Sequence, residues 1–559
     1  MSSDEESCCC HRHRKIDFHK HRETRISKIF LRKFEVSGFR GFGVSGFRES
    51  LLSREVLVVD FFHFDKMISE SVLSIPSFHT TNQLPYILDG NNRARFFRGT
   101  NFVNKSPPWY PEVLLNETNI ALLAELGFNT VRLGFMWTGA QPDQSGYNTT
   151  YFEIMKGIVQ TLAKHEIYAF LDVHQDVMSS DFCLYDAFPQ WAVHQSPSPK
   201  HEFPWPLKPG TDGNPCPVER SWGRNYFSEA CSTAFQSLYT EGSPFQQSFW
   251  AFWQTTAEYF KDLPILGYEI INEPWAGDLY SDPALLLPGH AGAKNLLPFY
   301  DIMSAKIREK DASHLIFYEP VTWGMIFNGN LTGSGFDHVP GGADFAGSSV
   351  FSFHYYCWWY YDPTDEFTRK TCDRLFGPKV FEQAVRETKQ IGGATMLTEW
   401  GQGCNYDHDD PYNPEGECHA IMDLADKFLV SWTDWYFGEH LNQPGFPLTE
   451  NARLIFSRTS ARAVAGRPTH MHFDVTSRDY RLCFRFSAED AISSPVTEIY
   501  VPFKLHYPDG IEVEVTPNVD VLKIDEAANR VILRNREVSA GRDEEHVCLA
   551  ITAKPPASR

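Results

Sequence analysis

From about Tyr86 onward the chain alternates two kinds of apolar pattern. Short, near-continuous apolar runs read as buried strands, and stretches with an apolar residue every three to four positions read as helices. The strand runs are Arg95–Val103, Thr130–Phe135, Ile167–Val173, the run from Leu266 that stops at Asn272, Leu315–Glu319, Ser348–Tyr356, Thr395–Glu399 and Leu429–Tyr436. Between them the helical pattern covers Glu117–Leu126, Thr150–His165, Phe245–Asp262, Leu297–Lys310, Lys379–Ile391 and Glu417–Phe428. Gly127 directly follows the first of these, where a helix C-terminus favours glycine. Eight strands alternating with helices predict a parallel sheet, and polar residues at nearly every strand's carboxyl end point to a (β/α)8 TIM barrel. A doubly wound open sheet fits less well, because no glycine-rich loop follows the first strand.

The pattern changes after about Arg462. His470–Asp474, Tyr480–Phe486, Glu498–Pro502, Ile511–Thr516, Val531–Leu533 and His546–Thr552 are short alternating or β-branched runs separated by turn residues such as Pro508-Asp509-Gly510. They read as an all-β sandwich without a catalytic cluster of its own, a structural or substrate-edge module. At the other end, residues 1–60 are rich in Arg, Lys, His and Ser and lack the basic start and apolar core of a secretory signal. The expected organisation is a disordered or foreign extension over 1–60, a catalytic barrel over 61–460 and a C-terminal β-sandwich over 461–559.

Composition narrows the function class. A net charge of −20 argues against a nucleic-acid partner. No uninterrupted apolar stretch approaches the roughly 18 residues of a membrane span. Aromatic residues make up 14% of the chain, many near strand ends, where flat faces suit sugar rings as well as packing. The cysteines include the close pairs Cys216 with Cys231, Cys357 with Cys372 and Cys404 with Cys418, and no C-x-x-C, so loop-closing disulfides are expected and a zinc site is not. With sequons beginning at Asn116, Asn148 and Asn330, this favours an oxidising setting: secretion, or a lysosomal or digestive lumen.

The chemistry sits at two strand ends. Leu266–Asp278 reads L-G-Y-E-I-I-N-E-P-W-A-G-D, and Pro274 cannot extend a ladder, so Asn272 and Glu273 fall at the rim. Ala394–Gly403 reads A-T-M-L-T-E-W-G-Q-G and ends its run in Glu399. Two carboxylates meeting across a barrel mouth suit glycoside hydrolysis, one protonating the leaving oxygen and the other attacking the anomeric carbon. Glu273 is the better acid, with Asn272 beside it to place a sugar hydroxyl, and Glu399 the better nucleophile. Glu319, just before Pro320, is the nearest rival. Glu269 shares Glu273's strand parity but lies deeper, where an ion pair is expected, and Asp172 reads as structural. Arg132 on a buried strand needs a carboxylate partner, and supporting the nucleophile is its natural role. His354 and Tyr356 share one parity, so Tyr356 would hydrogen-bond Glu399 while His354 lines the pocket and supports the same group. His174 and Asp176 would hold sugar hydroxyls; without a third clear ligand they make no metal site. Trp435 would stack on a sugar face or pack in the core, and Lys105 would bind a hydroxyl or extend into solvent.

On these residues the chain resembles glycoside hydrolase family 5. N-E-P-W-A-G-D, T-E-W-G, K-S-P-P at Lys105–Pro108 and H-Q-D at His174–Asp176 make it similar to the endoglycoceramidase branch, over about residues 85–555. The resemblance implies a retaining endo-β-glycosidase that cuts between glycan and ceramide and needs no cofactor. It implies that Glu273 is the acid/base and Glu399 the nucleophile. Lys105, His174, Asp176, Asn272 and Tyr356 would grip the reducing-end glucose above Trp435, with Trp432 a competitor for the stacking role and Trp222 a further pocket residue. The ceramide would lie among the insertion Phe182–Trp222, the loop Trp323–Phe327 and Trp358-Trp359. The substrate would be a glycosphingolipid in micelles or at a membrane surface, presented with an activator protein or a detergent-like lipid. A glucosylceramidase or steryl-β-glucosidase of the same branch, a soluble β-glucan endoglucanase, and a non-catalytic glycolipid-binding protein are the alternatives.

Overall fold

The computed structural model describes residues 77–555 except 184–187, 210–215, 217–218, 325, 328–329, 332, 357–369, 402–403, 405–408, 415, 439–440 and 442–447, and except the side chains of 219–222, 326–327, 330–331 and 373. The extension expected over 1–60 lies outside the described residues. Eight parallel strands close into a barrel: β1 Arg98–Phe102, β2 Thr130–Gly134, β3 Tyr168–Asp172, β4 Gly267–Glu269, β5 Leu315–Tyr318, β6 Ser349–Tyr355, β7 Ala394–Trp400 and β8 Ser431–Asp434. Each falls within, or within a residue of, a run read from the apolar pattern. Helix starts follow local chemistry: Asn116, Asn148, Ser228 and Ser243 each cap a helix by accepting a backbone N–H, and Pro244 opens the last of these. The first helix ends where Gly127 takes a left-handed φ of +90°.

Strand alternation sorts the barrel into layers. Val131, Leu133, Tyr268, Ile316, Tyr318, Phe351 and Phe353 face the helices in the main core. Phe170, Phe317, Val350 and Met396 plug the interior from below, with Phe170 and Phe317 stacked at 4.6 Å. Above this plug the interior turns polar, beginning with Arg132 and Glu269.

Two irregularities break the alternation where the site begins. The β6–β7 register pairs Phe353 with Leu397 and then His354 with Glu399, so Thr398 is the extra residue of a bulge. Leu397 faces outward, and strict alternation would send Glu399 outward with it; the bulge turns Glu399 into the barrel mouth. In β4 the ladder stops at Glu269, and Ile270 and Ile271 both join the core. The N–H groups of Ile270 and Asn272 still bond the carbonyls of Phe317 and Val173, and Glu273 then adopts a left-handed φ of +38°. Parity, which aligned Glu269 with Glu273, is therefore not what aims Glu273.

The C-terminal region is an antiparallel sandwich. Strands 467–473, 480–487, 544–553 and 511–515 form one sheet. The other contains 460–464, 496–500, 530–535 and 519–525, extended by 78–79, 87–89 and 94–95. Residues 78–95, which the pattern places with the barrel, thus pair into the second sheet through Ala94 and Arg95 against Ala463 and Val464. The sandwich fastens to turns feeding the amino ends of barrel strands: Tyr500 donates to the Glu125 carbonyl and Arg530 pairs with Glu166. Among the described residues no helix is long and apolar enough to cross a membrane.

Disulfides join Cys404 to Cys418, as expected, and Cys483 to the directly opposed Cys548. The expected Cys216–Cys231 pair is not formed. Cys216 bonds Cys183, because the insertion folds back on the end of its own first turn, while helix Glu229–Tyr239 turns the free Cys231 thiol inward toward the Val177 carbonyl. Cys372 is disulfide-bonded, and Cys357 lies outside the described residues.

β4 lies in close backbone contact with β5. A Cβ at Gly267 would come within 2.2 Å of the Leu315 carbonyl oxygen on β5. Gly267→Ala is expected to cost about 1–3 kcal/mol by overpacking, read as a lower urea midpoint of the full chain; an unchanged midpoint would contradict this close approach.

Candidate active site

Arg132, at the middle of β2, is fully buried and forms the hub of the barrel mouth. Its Nη1 lies 2.5 Å from Glu399 Oε1, its Nε bonds Glu269, and its Nη2 lies 3.2 Å from Asp172 and 3.3 Å from Glu319. The same guanidinium donates to Asn272 Oδ1 at 2.8 Å and Asn101 Oδ1 at 3.1 Å. One cation among several buried carboxyls cannot keep all of them ionised at low cost. Burial pushes the Glu269 carboxyl up to about 7 despite Arg132, and burial together with Glu269 raises Glu319 well above the carboxylate range.

Glu399 is fixed from two sides. Arg132 holds Oε1, and the Tyr356 hydroxyl donates to Oε2 at 2.9 Å. Glu273 sits in a different environment. Its carboxyl meets His354 Nδ1 at 2.8 Å, and burial, then the Asp176 charge, push it up to about 7. Its backbone is pinned on both sides: its N–H donates to Glu319 Oε2 at 3.2 Å, and its carbonyl accepts from Gln175 at 2.9 Å and Thr322 at 2.8 Å. Burial lowers the His354 ring to about 3, so it is a neutral neighbour to both glutamates. One carboxyl oxygen from Glu273 and one from Glu399 lie within 4.8 Å of each other, with a His354 ring nitrogen inside the same limit. That proximity lets both carboxyls reach one glycosidic linkage and falls short of the roughly 6.5–9.5 Å separation of inverting glycosidases.

A second chain of contacts lines the other wall. Lys105 Nζ pairs with Asp176 at 2.5 Å and lies 4.6 Å above the Trp435 ring. His174 stacks on Trp435 at 5.0 Å, with the ring planes 10° apart, and its Nδ1 bonds Asp172 at 2.9 Å. Burial opposes ionisation of Asp176, but Lys105 and His174 outweigh it and hold the carboxyl well below its usual range. Lys105 is therefore an ion-paired rim residue, not one extended into solvent. Asp172 joins Arg132 to His174, the structural part read for it. Trp432 is buried against Trp400 and Phe128, which leaves Trp435 as the ring that faces this wall.

Beside Glu273 a cleft of about 470 Å³, measured out to its open mouth, runs between Val321, Trp323, His354, Tyr356 and Val380. Trp323 meets Trp275, which stacks on Tyr226. The side chains of Trp222, Phe327, Trp358 and Trp359 lie outside the described residues. Sequence reading missed Gln175, which bonds the carbonyls of Asn272 and Glu273, and Asn101, which bonds Arg132. The available signal was a lone amide within or beside an apolar strand, where a buried polar group needs partners.

Removing the hub would leave its carboxyls unpaired. Arg132→Leu is expected to destabilise the fold by about 3–5 kcal/mol, measured by chemical unfolding; a loss below about 1 kcal/mol would mean the charges are not buried as described.

The family model "Cellulase (glycosyl hydrolase family 5)" matches residues 89–440, and "Glycoside hydrolase family 5 C-terminal domain" matches 458–547. An endoglycoceramidase of Cyanea nozakii is 34% identical over 482 residues, covering 81% of this chain and 90% of that protein. One from Hydra vulgaris is 35% identical over 462 residues, covering 78% and 82%. The solved structure of endo-glycoceramidase II from Rhodococcus sp. as a lactosyl-enzyme intermediate shares the fold with a TM-score of 0.65 at 21% identity, covering 84% of this chain and 100% of that one. With both family models matched in order along a closed barrel and its trailing sandwich, the chain belongs to glycoside hydrolase family 5 and is a glycosidase.

Proposed function

We propose that this enzyme is a retaining endo-β-glycosidase that hydrolyses the linkage between oligosaccharide and ceramide in glycosphingolipids. The observation that carries the reading is the pair Glu273 and Glu399, close together and oppositely provided for: one carboxyl pushed up to about 7, the other held by Arg132 and Tyr356. Identity of 34–35% to endoglycoceramidases over most of both chains supports the substrate class.

In the first step a Glu399 oxygen attacks the anomeric carbon of the reducing-end glucose. The bond to the ceramide oxygen breaks, and that oxygen takes the Glu273 proton, releasing ceramide. In the second step Glu273 removes a proton from water, whose oxygen displaces Glu399 from the anomeric carbon. The glycan leaves with its configuration retained, and both groups return to their starting states. Lys105, His174, Asp176, Asn272 and Tyr356 grip the glucose above Trp435, and His354 sits between the two carboxyls. The cleft walled by Trp323 lies on the Glu273 side, where the departing lipid must be. The working site is a micelle or membrane surface, served by an activator protein or detergent-like lipid, in a secreted or lysosomal setting.

Incubation with a glycolipid panel should yield intact oligosaccharide and ceramide, with long glycans cleaved at least as well as single-glucose lipids; preference for a single glucose would favour a glucosidase instead. Glu399→Gln is expected to lower kcat by roughly 10⁴-fold or more while binding of micellar substrate persists, and full activity in that variant would remove the assignment. The first step needs Glu273 protonated, so activity is present below its raised pKa and lost as pH rises through it. The alkaline limb of kcat/KM should fall near pH 7; a limb beyond pH 9 would contradict this role for Glu273.

A further inference from the structure

Among the described residues, Glu319 is the carboxyl in the barrel mouth that touches both Glu273 and His354 and has no part in the steps above. It follows β5, is 3% exposed, and is anchored through its backbone by Tyr300. The Tyr300 hydroxyl donates to the Glu319 carbonyl at 2.9 Å and accepts its N–H at 3.3 Å. The two side-chain oxygens then divide their contacts. Oε2 accepts the Glu273 N–H at 3.2 Å, and Oε1 lies 3.3 Å from Arg132 Nη2 and 3.4 Å from His354 Nε2. The opposite ring nitrogen of His354 meets the Glu273 carboxyl at 2.8 Å.

Glu319 thus reaches Glu273 by a hydrogen bond to its backbone, and only packs beside the neutral imidazole that meets its carboxyl, whose Nε2 makes no hydrogen bond among the described residues. The backbone route matters because Glu273 is left-handed at φ +38°, a region that residues other than glycine enter only when held there. Glu319 borders the cleft beside Glu273, but both of its carboxyl oxygens are turned toward these partners. We propose that Glu319 is a positioning residue for Glu273, fixing the backbone turn that aims the proton-transferring carboxyl at the leaving oxygen. The proposal rests on the acid/base reading of Glu273.

A group that aims an acid matters only when the leaving group needs a proton. The test therefore compares kcat/KM on a glycosphingolipid, whose alkoxide must be protonated, with kcat/KM on a 2,4-dinitrophenyl β-lactoside, whose phenolate leaves unaided. Since a misplacement of about 1 Å costs roughly 100-fold, Glu319→Leu is expected to lose about that much on the lipid and only a few-fold on the aryl lactoside. Glu319→Gln keeps an oxygen acceptor for the Glu273 N–H and should recover most of the loss. Glu319→Asp, whose shorter side chain withdraws that acceptor, should show the same split as Glu319→Leu and serves if the leucine variant does not fold. Equal losses on both substrates, or no loss on the lipid, would overturn the proposal. Glu273→Gln is measured alongside. If it shows the split and the Glu319 variants do not, only the positioning role fails; if it shows no split, the acid/base reading fails and the positioning role with it.

Discussion

A buried guanidinium shared among carboxyls is the constraint on which the barrel mouth depends. Arg132 has no exposure and contacts Asp172, Glu269, Glu319 and Glu399. Because one positive charge cannot balance all of them, protonation is divided unequally, and the site's chemistry follows from that division. Glu399 takes a guanidinium nitrogen together with a tyrosine hydroxyl, whereas the Glu273 carboxyl meets the neutral His354 ring instead. Glu269 and Glu319, deeper and drier, are driven toward their neutral forms. The environments that the proposed nucleophile and acid need thus differ by position alone, for the same residue type.

That division works only if both glutamates are aimed across the mouth, and here the barrel departs from regular strand geometry. The extra residue at Thr398 re-aims Glu399, and Thr398 is kept in place by accepting from Asn101 at 3.0 Å and Thr433 at 2.6 Å through its carbonyl. Glu273 is turned by its left-handed backbone, clamped by Gln175, Thr322 and Glu319. Irregular backbone held by surrounding hydrogen bonds is where a fold spends stability on function.

Much of this was legible in the sequence. Apolar periodicity located all eight barrel strands, because each is buried on both faces and bounded by turns and helix caps. Chemistry located the partners of Arg132 and Tyr356, because a buried cation and a strand-end carboxylate have few ways to satisfy each other. Parity failed for Glu273 at Ile270–Ile271, where the backbone leaves the regular ladder, and the bulge at Thr398 has no signature in composition. Cysteine spacing suggested Cys231 for Cys216, whereas the fold of a long insertion brings up Cys183. Strands 460–464 and 519–525 escaped notice: the first is small and charged, the second an edge with Val521 and Ile524 exposed. The sheet partnership of residues 78–95 is long-range and has no local signature.

The central claim is that the covalent intermediate forms on Glu399 and on no other carboxyl gathered round Arg132. An activated 2-deoxy-2-fluoro-β-lactoside would slow the second step and leave the sugar attached, and peptide mass spectrometry would find it. The predicted result is one lactosyl adduct, on Glu399. An adduct on Glu273, Glu319 or Glu269, or inactivation without any adduct, would contradict the account.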